Sequence, residues 1–158
     1  MLRYARKFLF KYDDSQDVVQ EVFLKAYINI QGFDLSMKFS PWIYRIAHNE
    51  FINTIKKKKR EKVSYFDPDT FFPQLFYEDT EGEEMDAELL RKTLDESLAT
   101  LDMKYREPLV LHYHEELGYQ EIADIMQIPV STVGIRLRRG RVALKKILDE
   151  KHPHHGEQ

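Results

Sequence analysis

The most constraining stretch of this chain is its last third. Tyr119-Gln120-Glu121-Ile122-Ala123-Asp124-Ile125-Met126 has the spacing of a short helix with Ile122, Ala123 and Met126 directed inward. Gln127-Ile128-Pro129 follows as a tight turn, and Ser131 can cap a second helix running to Leu148. On that helix Val133, Leu137, Gly140, Leu144 and Leu148 share a packing face, while Ile135, Arg138, Arg139, Val142 and Lys146 lie opposite. Ser131–Leu148 holds six basic residues and no acid. A helix, a tight turn and a second helix with unneutralised cations outward can seat that second helix in a DNA major groove. Arginines there can bond phosphates or guanine edges, and an isoleucine can meet a thymine methyl. The competing reading is a solvated amphipathic helix that closes a small bundle.

The same period governs the N-terminal part. Leu2–Phe10 reads as the end of a helix. Asp13-Asp14-Ser15 offers a cap, and helical spacing then runs to Ile30, with Val18, Val19, Val22, Phe23, Ala26 and Ile30 on one face. Gly32 stops it, Phe33–Phe39 is a loop, and Ser40-Pro41 starts the next helix, which runs to about Lys58. Its expected core residues are Ile43, Ile46, Ala47, Phe51 and Ile55. After a stretch without a sustained period, Ala87, Leu90, Leu94, Leu98 and Leu101 recur at helical spacing. Asp102 then caps a helix over Lys104–Tyr113, with Pro108 expected to distort its first turns.

Charge divides the chain in the same places. Residues 1–60 carry 12 Lys/Arg and 6 Asp/Glu, residues 61–88 carry 1 and 10, and residues 89–158 carry 11 of each. The overall charge of −3 therefore conceals two basic patches separated by an acidic connector, a pattern that suits nucleic acid better than the net value does. The absence of cysteine excludes disulfides, thiolate metal sites and cysteine catalysis. No apolar run is long enough to span a membrane, and Met1-Leu2-Arg3-Tyr4 does not open a signal peptide, so a cytoplasmic protein is expected. There is no glycine-rich phosphate loop, metal-ligand triad or recognisable pair of catalytic carboxylates, so neither an enzyme, a metal site nor a cofactor is expected. His112 and His114, near a helix end, are expected to pack or cap, and His152, His154 and His155 to lie in a disordered tail.

Two further stripes are unlike ordinary packing. The outward face of the helix from Ser15 carries Asp17, Gln20 and Glu21 with Leu24 and Ile28, a mixture that suits a protein partner, although scattered surface apolar residues are also normal. The helix from Pro41 carries Trp42, Arg45, Asn49 and Lys56, and ends in Lys56-Lys57-Lys58-Lys59-Arg60. Such a cationic run makes sequence-blind phosphate contacts. A tryptophan beside Arg and Asn can stack on unpaired bases, or can instead be a core residue at the helix start.

Leu117–Ala123 through Thr132–Arg141 resembles region 4 of extracytoplasmic-function (ECF, group 4) sigma factors of bacterial RNA polymerase. Asp17–Phe23 and Pro41–Asn49 resemble region 2 of the same family. Both motifs occur here in the family's order and at its distance. The resemblance implies an all-α protein of two small helical domains: a region 2 three-helix core over 1–60 and a region 4 helix-turn-helix over 87–150. A flexible acidic linker over 61–86 would join them, and a disordered tail over 151–158 would follow.

The implied function is promoter recognition, promoter melting and transcription initiation, in a stress or envelope response. A helix-turn-helix regulator without sigma activity is the alternative, and it leaves the first module unexplained. The implied partners are core RNA polymerase (the beta-prime clamp helices and the beta flap), promoter DNA and an anti-sigma factor, with no small-molecule substrate. Asp17, Gln20, Glu21, Leu24 and Ile28 would meet the polymerase. Asp34, Ser36, Lys38, Trp42, Arg45, Asn49, Lys56 and Lys57 would hold the melted minus-10 element, the loop residues lining a pocket for a flipped base. Ser131, Thr132, Ile135, Arg138 and Arg139 would read the minus-35 element. Acids of the linker could mimic RNA phosphates on the way to the polymerase cleft.

Two departures are expected to matter. Gly134-Ile135 stand where the family has a polar or basic pair, and the family's first helix begins upstream of Leu2, which suggests a truncated N-terminus.

Overall fold

In the computed structural model, the residues described are 1–9, 15–62 and 84–151, and among them all regular structure is helical. Seven helices follow one another: α1 (Leu2–Phe8), α2 (Ser15–Asn29), α3 (Phe39–Lys62), α4 (Glu84–Thr100), α5 (Met103–Tyr113), α6 (Tyr119–Met126) and α7 (Val130–Lys151). A single 3-10 turn, Ile30–Gly32, ends α2. Of the acidic connector expected over 61–86, residues 61–62 belong to α3 and residues 84–86 to α4, while residues 63–83, the expected Asp13-Asp14 cap and the tail histidines lie outside the described residues.

The N-terminal module forms because three amphipathic helices close on one another. Val18, Val19, Val22 and Ala26 of α2 are buried, as are Ile43, Ala47, Phe51 and Ile55 of α3. Tyr4 and Phe8 of α1 join Phe51 in a cluster of tilted rings, with centroids 4.9 Å (Tyr4–Phe51) and 5.9 Å (Phe8–Phe51) apart. Two expectations fail here. Phe23 and Ile30 are exposed, because they lie at the far edge of the apolar arc, beyond what α1 and α3 cover. Helix α3 also begins at Phe39, so Ser40 lies inside it, and the helix continues to Lys62, as suits its string of good helix formers.

The C-terminal module is built around α5 and α7. Leu109, Val110 and Leu111 of α5 meet Val133 and Leu137 of α7, with Ile122, Ala123, Ile125 and Met126 of α6 closing the core. Asp102 caps α5 by accepting the Lys104 backbone N–H at 3.0 Å, which holds its carboxyl below the usual range. Helix α5 runs through Pro108 without interruption, and Pro108 is itself buried. Leu90, expected in the core stripe, is 66% exposed, and among the described side chains of α4 the buried ones are Thr93, Ser97 and Leu98. Helix α7 starts one residue before the expected Ser131 cap, with Thr132 N–H donating to the Pro129 carbonyl at 2.9 Å.

Gly140 decides how closely α5 and α7 approach. A Cβ there would stand 3.0 Å from Leu109 Cδ1 and 3.3 Å from the Tyr105 Cβ. Gly140→Val should therefore force the helices apart and lower unfolding stability by about 2 kcal/mol, the usual scale for overpacking. Urea denaturation measures it, and a loss below about 0.5 kcal/mol would mean that the contact relaxes freely.

The two modules are packed together. Helix α1 lies against α2 and α3 and also against α4 and α5, while α3 runs beside α6, so the buried side chains form one continuous set. No helix among the described residues is long and apolar enough to cross a membrane.

Candidate nucleic-acid interface

The loop between α2 and α3 is stiffened locally. Asp34 accepts the Ser36 backbone N–H at 2.9 Å, which holds its carboxyl below the ordinary value, and Met37 N–H donates to the Asp34 carbonyl. Phe33, Phe39 and Trp42 form a ring cluster, with Trp42 5.0 Å from Phe33 and 5.5 Å from Phe39. Trp42 is half-buried, one side against the core and the other toward a cavity of about 530 Å³. Asp34, Ser36, Lys38, Trp42 and Arg45 all line that cavity, so five of the eight residues assigned to the minus-10 element converge on one space. Asn49, Lys56 and Lys57 are exposed further along α3 and do not line it. Phe33 also lines the cavity, and Phe39 packs against both Phe33 and Trp42 from beside it.

The far wall of the cavity belongs to α6. Gln120, Glu121 and Asp124 line it. Lys38 Nζ donates to Glu121 Oε1 at 3.0 Å, and Arg45 Nη2 donates to Gln127 Oε1 at 2.7 Å. Glu121 also accepts the Gly118 backbone N–H at 2.9 Å, which caps α6. That backbone hydrogen bond, and then Lys38, lower its carboxyl pKa.

Beside this, the modules share a part-buried polar seam that periodicity does not reveal. Tyr4 and His48 both meet Glu107 Oε1, at 2.6 Å and 2.5 Å, with Glu107 only 2% exposed. Tyr44 donates to Glu115, and burial first, then that carboxylate, raise its hydroxyl pKa. Arg3 donates to the His114 carbonyl, and Lys7 pairs with Asp95 at 2.5 Å. His112 and His114 behave as expected of packing and capping groups. His112 Nδ1 lies 2.9 Å from the Leu117 carbonyl, and His114 caps α5, burial lowering its pKa.

The helix-turn-helix geometry follows from local chemistry. Gln127 adopts the left-handed conformation (φ 55°) that ends α6, and Ile128 N–H returns to the Ala123 carbonyl at 3.1 Å. Pro129 then directs the chain into α7. Ser131, Ile135, Arg138 and Arg139 are exposed on the outer face of α7 and Thr132 is half-buried, with Val133, Leu137 and Gly140 on the inner face. Arg141 donates to the Tyr113 hydroxyl at 3.2 Å and so serves the bundle. At Gly134 a Cβ would make only ordinary contact with Tyr119, at 3.7 Å, so packing does not require glycine there.

Asp17, Gln20, Glu21, Leu24 and Ile28 are all exposed on α2, as the helical wheel requires. Phe23 and Tyr27 enlarge this face beyond the reading from sequence. Their exposures are 51% and 79%, beside 52% for Leu24 and 66% for Ile28.

This layout, with an exposed apolar and acidic helix, an aromatic–cationic loop and helix, and a helix-turn-helix, is that of a sigma factor, and known proteins agree. Residues 1–61 match the family model for sigma-70 region 2, and residues 91–144 match that for sigma-70 region 4. The chain is 40% identical over 143 residues to the ECF RNA polymerase sigma factor SigW of Bacillus subtilis, covering 85% of this chain and 75% of the relative. It is 34% identical to the RNA polymerase sigma-H factor of Pseudomonas aeruginosa, covering 94% and 83%. Among solved structures, the sigma factor RpoE in complex with the anti-sigma factor NepR from Bartonella quintana superposes with a TM-score of 0.79. That match is 23% identical and covers 94% of this chain and 89% of the other. CnrH in complex with the cytosolic domain of CnrY gives 0.65 at 24% identity, covering 94% and 80%. The chain belongs to the ECF sigma factors of bacterial RNA polymerase, and it directs transcription initiation.

Proposed function

We propose that three exposed surfaces divide the work of initiation. The α2 face docks on the beta-prime clamp helices of core polymerase. The cavity edged by Trp42, with Lys38, Arg45 and the α3 cations, holds the unpaired minus-10 strand. The outer face of α7 reads the minus-35 element. The observation that carries this assignment is the α2 face, where four large apolar side chains stand exposed among Asp17, Gln20 and Glu21. At least half of each of these side chains is exposed among the described residues, and an apolar patch ringed by polar groups suits a protein partner. In the solved complexes RpoE is bound to the anti-sigma factor NepR, and CnrH to the cytosolic domain of CnrY. We infer that this chain too is restrained by an anti-sigma factor, acts in the cytoplasm, and serves an envelope or stress response. No residue is assigned a catalytic role, since the nucleotide chemistry belongs to the polymerase.

Run-off transcription with core enzyme on promoter libraries tests this reading: discrete transcripts should appear only when the chain is added. In the same assay Arg138→Ala or Arg139→Ala should erase preference at one or two upstream base pairs, a discrimination of about 1–3 kcal/mol each. An unchanged upstream consensus for both variants would show that these arginines hold only the phosphate backbone.

A further inference from the structure

Gly134 and Ile135 stand on α7 for no reason that packing supplies. A glycine weakens a helix, yet a Cβ at Gly134 would meet only the Tyr119 ring, at 3.7 Å, so a larger residue fits there. Ile135 is exposed, and so are Val130 and Tyr119. Residues four apart on a helix are neighbours, which sets Val130, Gly134 and Arg138 in one row along α7 and Ser131, Ile135 and Arg139 in the next. Gly134 is thus a gap, with Val130 before it, Arg138 after it, Ile135 beside it and the edge of the Tyr119 ring across from it. That ring is held in place, since Tyr119 meets His112 edge-on with centroids 5.3 Å apart. The gap is an apolar place in a cationic surface, because Ser131–Leu148 holds six basic residues and no acid.

The charge of this surface selects DNA as its occupant, and the apolar lining selects which group of the DNA. On the major-groove edges of the base pairs the thymine C5-methyl is the one apolar group. The other groups on those edges are read by hydrogen bonds, and neither Gly134 nor Ile135 has a side chain that can make one. We propose that Val130, Gly134 and Ile135 form a seat for a thymine methyl of the upstream promoter element, which is read there by apolar contact and not by a hydrogen bond. The inference rests on the assignment of the outer face of α7 to that element, and it names the base chemistry that this face takes. Gly134 lets the base edge come close to the helix backbone, where a longer side chain would hold it off. Ile135 covers the methyl from one side and keeps water from it. Arg138 and Arg139, one turn further along the two rows, bond flanking guanine edges or phosphates and fix the register.

Promoter binding by the holoenzyme, formed from the full chain and core polymerase, tests the seat. An upstream element selected from a promoter library should hold a thymine on one strand or the other. Deoxyuridine placed at each upstream thymine in turn removes only a methyl group. At one of these positions it should weaken binding about fourfold, the worth of one buried methyl. Cytosine and 5-methylcytosine compared at that same position should differ in the same direction, the methylated base binding better. Ile135→Ala and Gly134→Gln should each bind the thymine and uracil promoters alike. Ile135 is exposed and the space at Gly134 is open, so neither change should lower the unfolding temperature, and Gly134→Gln should raise it. A selected element without thymine, a wild type indifferent to uracil at every upstream thymine, or a uracil penalty that survives in either variant would each overturn the proposal. Arg138→Ala and Arg139→Ala keep the two readings apart. If neither of them, nor scrambling of the upstream element, changes binding, α7 does not read that element at all. If they change it while uracil does not, only the methyl seat falls.

Discussion

Replacing Leu24 and Ile28 by alanine together with Glu21 by lysine should weaken binding to core polymerase by at least a hundredfold while leaving the helix content intact. The two aliphatic side chains are 52% and 66% exposed, so their removal opens no cavity in the folded chain. The buried face of α2, made of Val18, Val19, Val22 and Ala26, is untouched, and that face holds the helix in place. Apolar residues at the centre of an interface commonly cost about 2 kcal/mol or more when truncated. Reversing a charge beside them adds a repulsive pair with whatever cation Glu21 meets. Together these exceed roughly 3 kcal/mol, or more than two powers of ten in affinity. A fluorescence titration against core enzyme reads the effect, with far-ultraviolet circular dichroism as the control for folding. Unchanged affinity would remove α2 from the polymerase interface. Tyr27→Ala is a sharper single probe, since Tyr27 is 79% exposed on the same face.

How much of this was legible beforehand depends on the distance over which each feature is specified. The helix-turn-helix is written in neighbouring residues. A helical period over Tyr119–Met126 and a tight turn at Gln127-Ile128-Pro129 before α7 are local rules, and the structure follows them. The faces of α7 are equally local, and Arg138 and Arg139 stand outward as the wheel requires. Periodicity also identifies the buried side of α2 and α3, but it does not say how wide a neighbour covers that side. That is why Phe23, Ile30 and Leu90, each in phase with a core stripe, end up exposed. Trp42 and Arg45 could be selected from sequence because an aromatic beside a cation is chemically unusual, whereas Lys38 follows only from the family resemblance. The contact of residue 45 with residue 127, or of residue 4 with residue 107, obeys no local rule. The approach of α6 to the cavity beside Trp42 is therefore not specified by any local pattern.

Glu107 shows how much one such long-range contact carries. It is 2% exposed and accepts the Tyr4 hydroxyl at 2.6 Å, with His48 Nδ1 2.5 Å from the same oxygen. Tyr4 is fully buried, and its hydroxyl pKa is raised well above the ordinary value by burial first and by the Glu107 charge next. Glu107→Ala should leave a hydroxyl and an imidazole facing a void, each a buried polar group without its acceptor. Orphaning such groups costs about 1–3 kcal/mol apiece, so a loss of about 3 kcal/mol in unfolding stability is expected. Glu107→Gln keeps a carbonyl oxygen for Tyr4 and should cost less than half as much. The origin of the loss can be tested by a cycle with Tyr4→Phe. In the wild-type background that change removes a hydrogen bond and should destabilise by about 1 kcal/mol. In the Glu107→Ala background it removes an orphan and should be neutral or stabilising, so the two changes are strongly non-additive. Because α5 lies in one module while α1 and α3 lie in the other, the lost energy falls on the seam between them, and the variant should part the modules before it unfolds either. Urea titration followed by tyrosine fluorescence and by circular dichroism would separate the two events. A loss below about 1 kcal/mol, or strict additivity in the cycle, would show that the Glu107 junction does not hold the modules together.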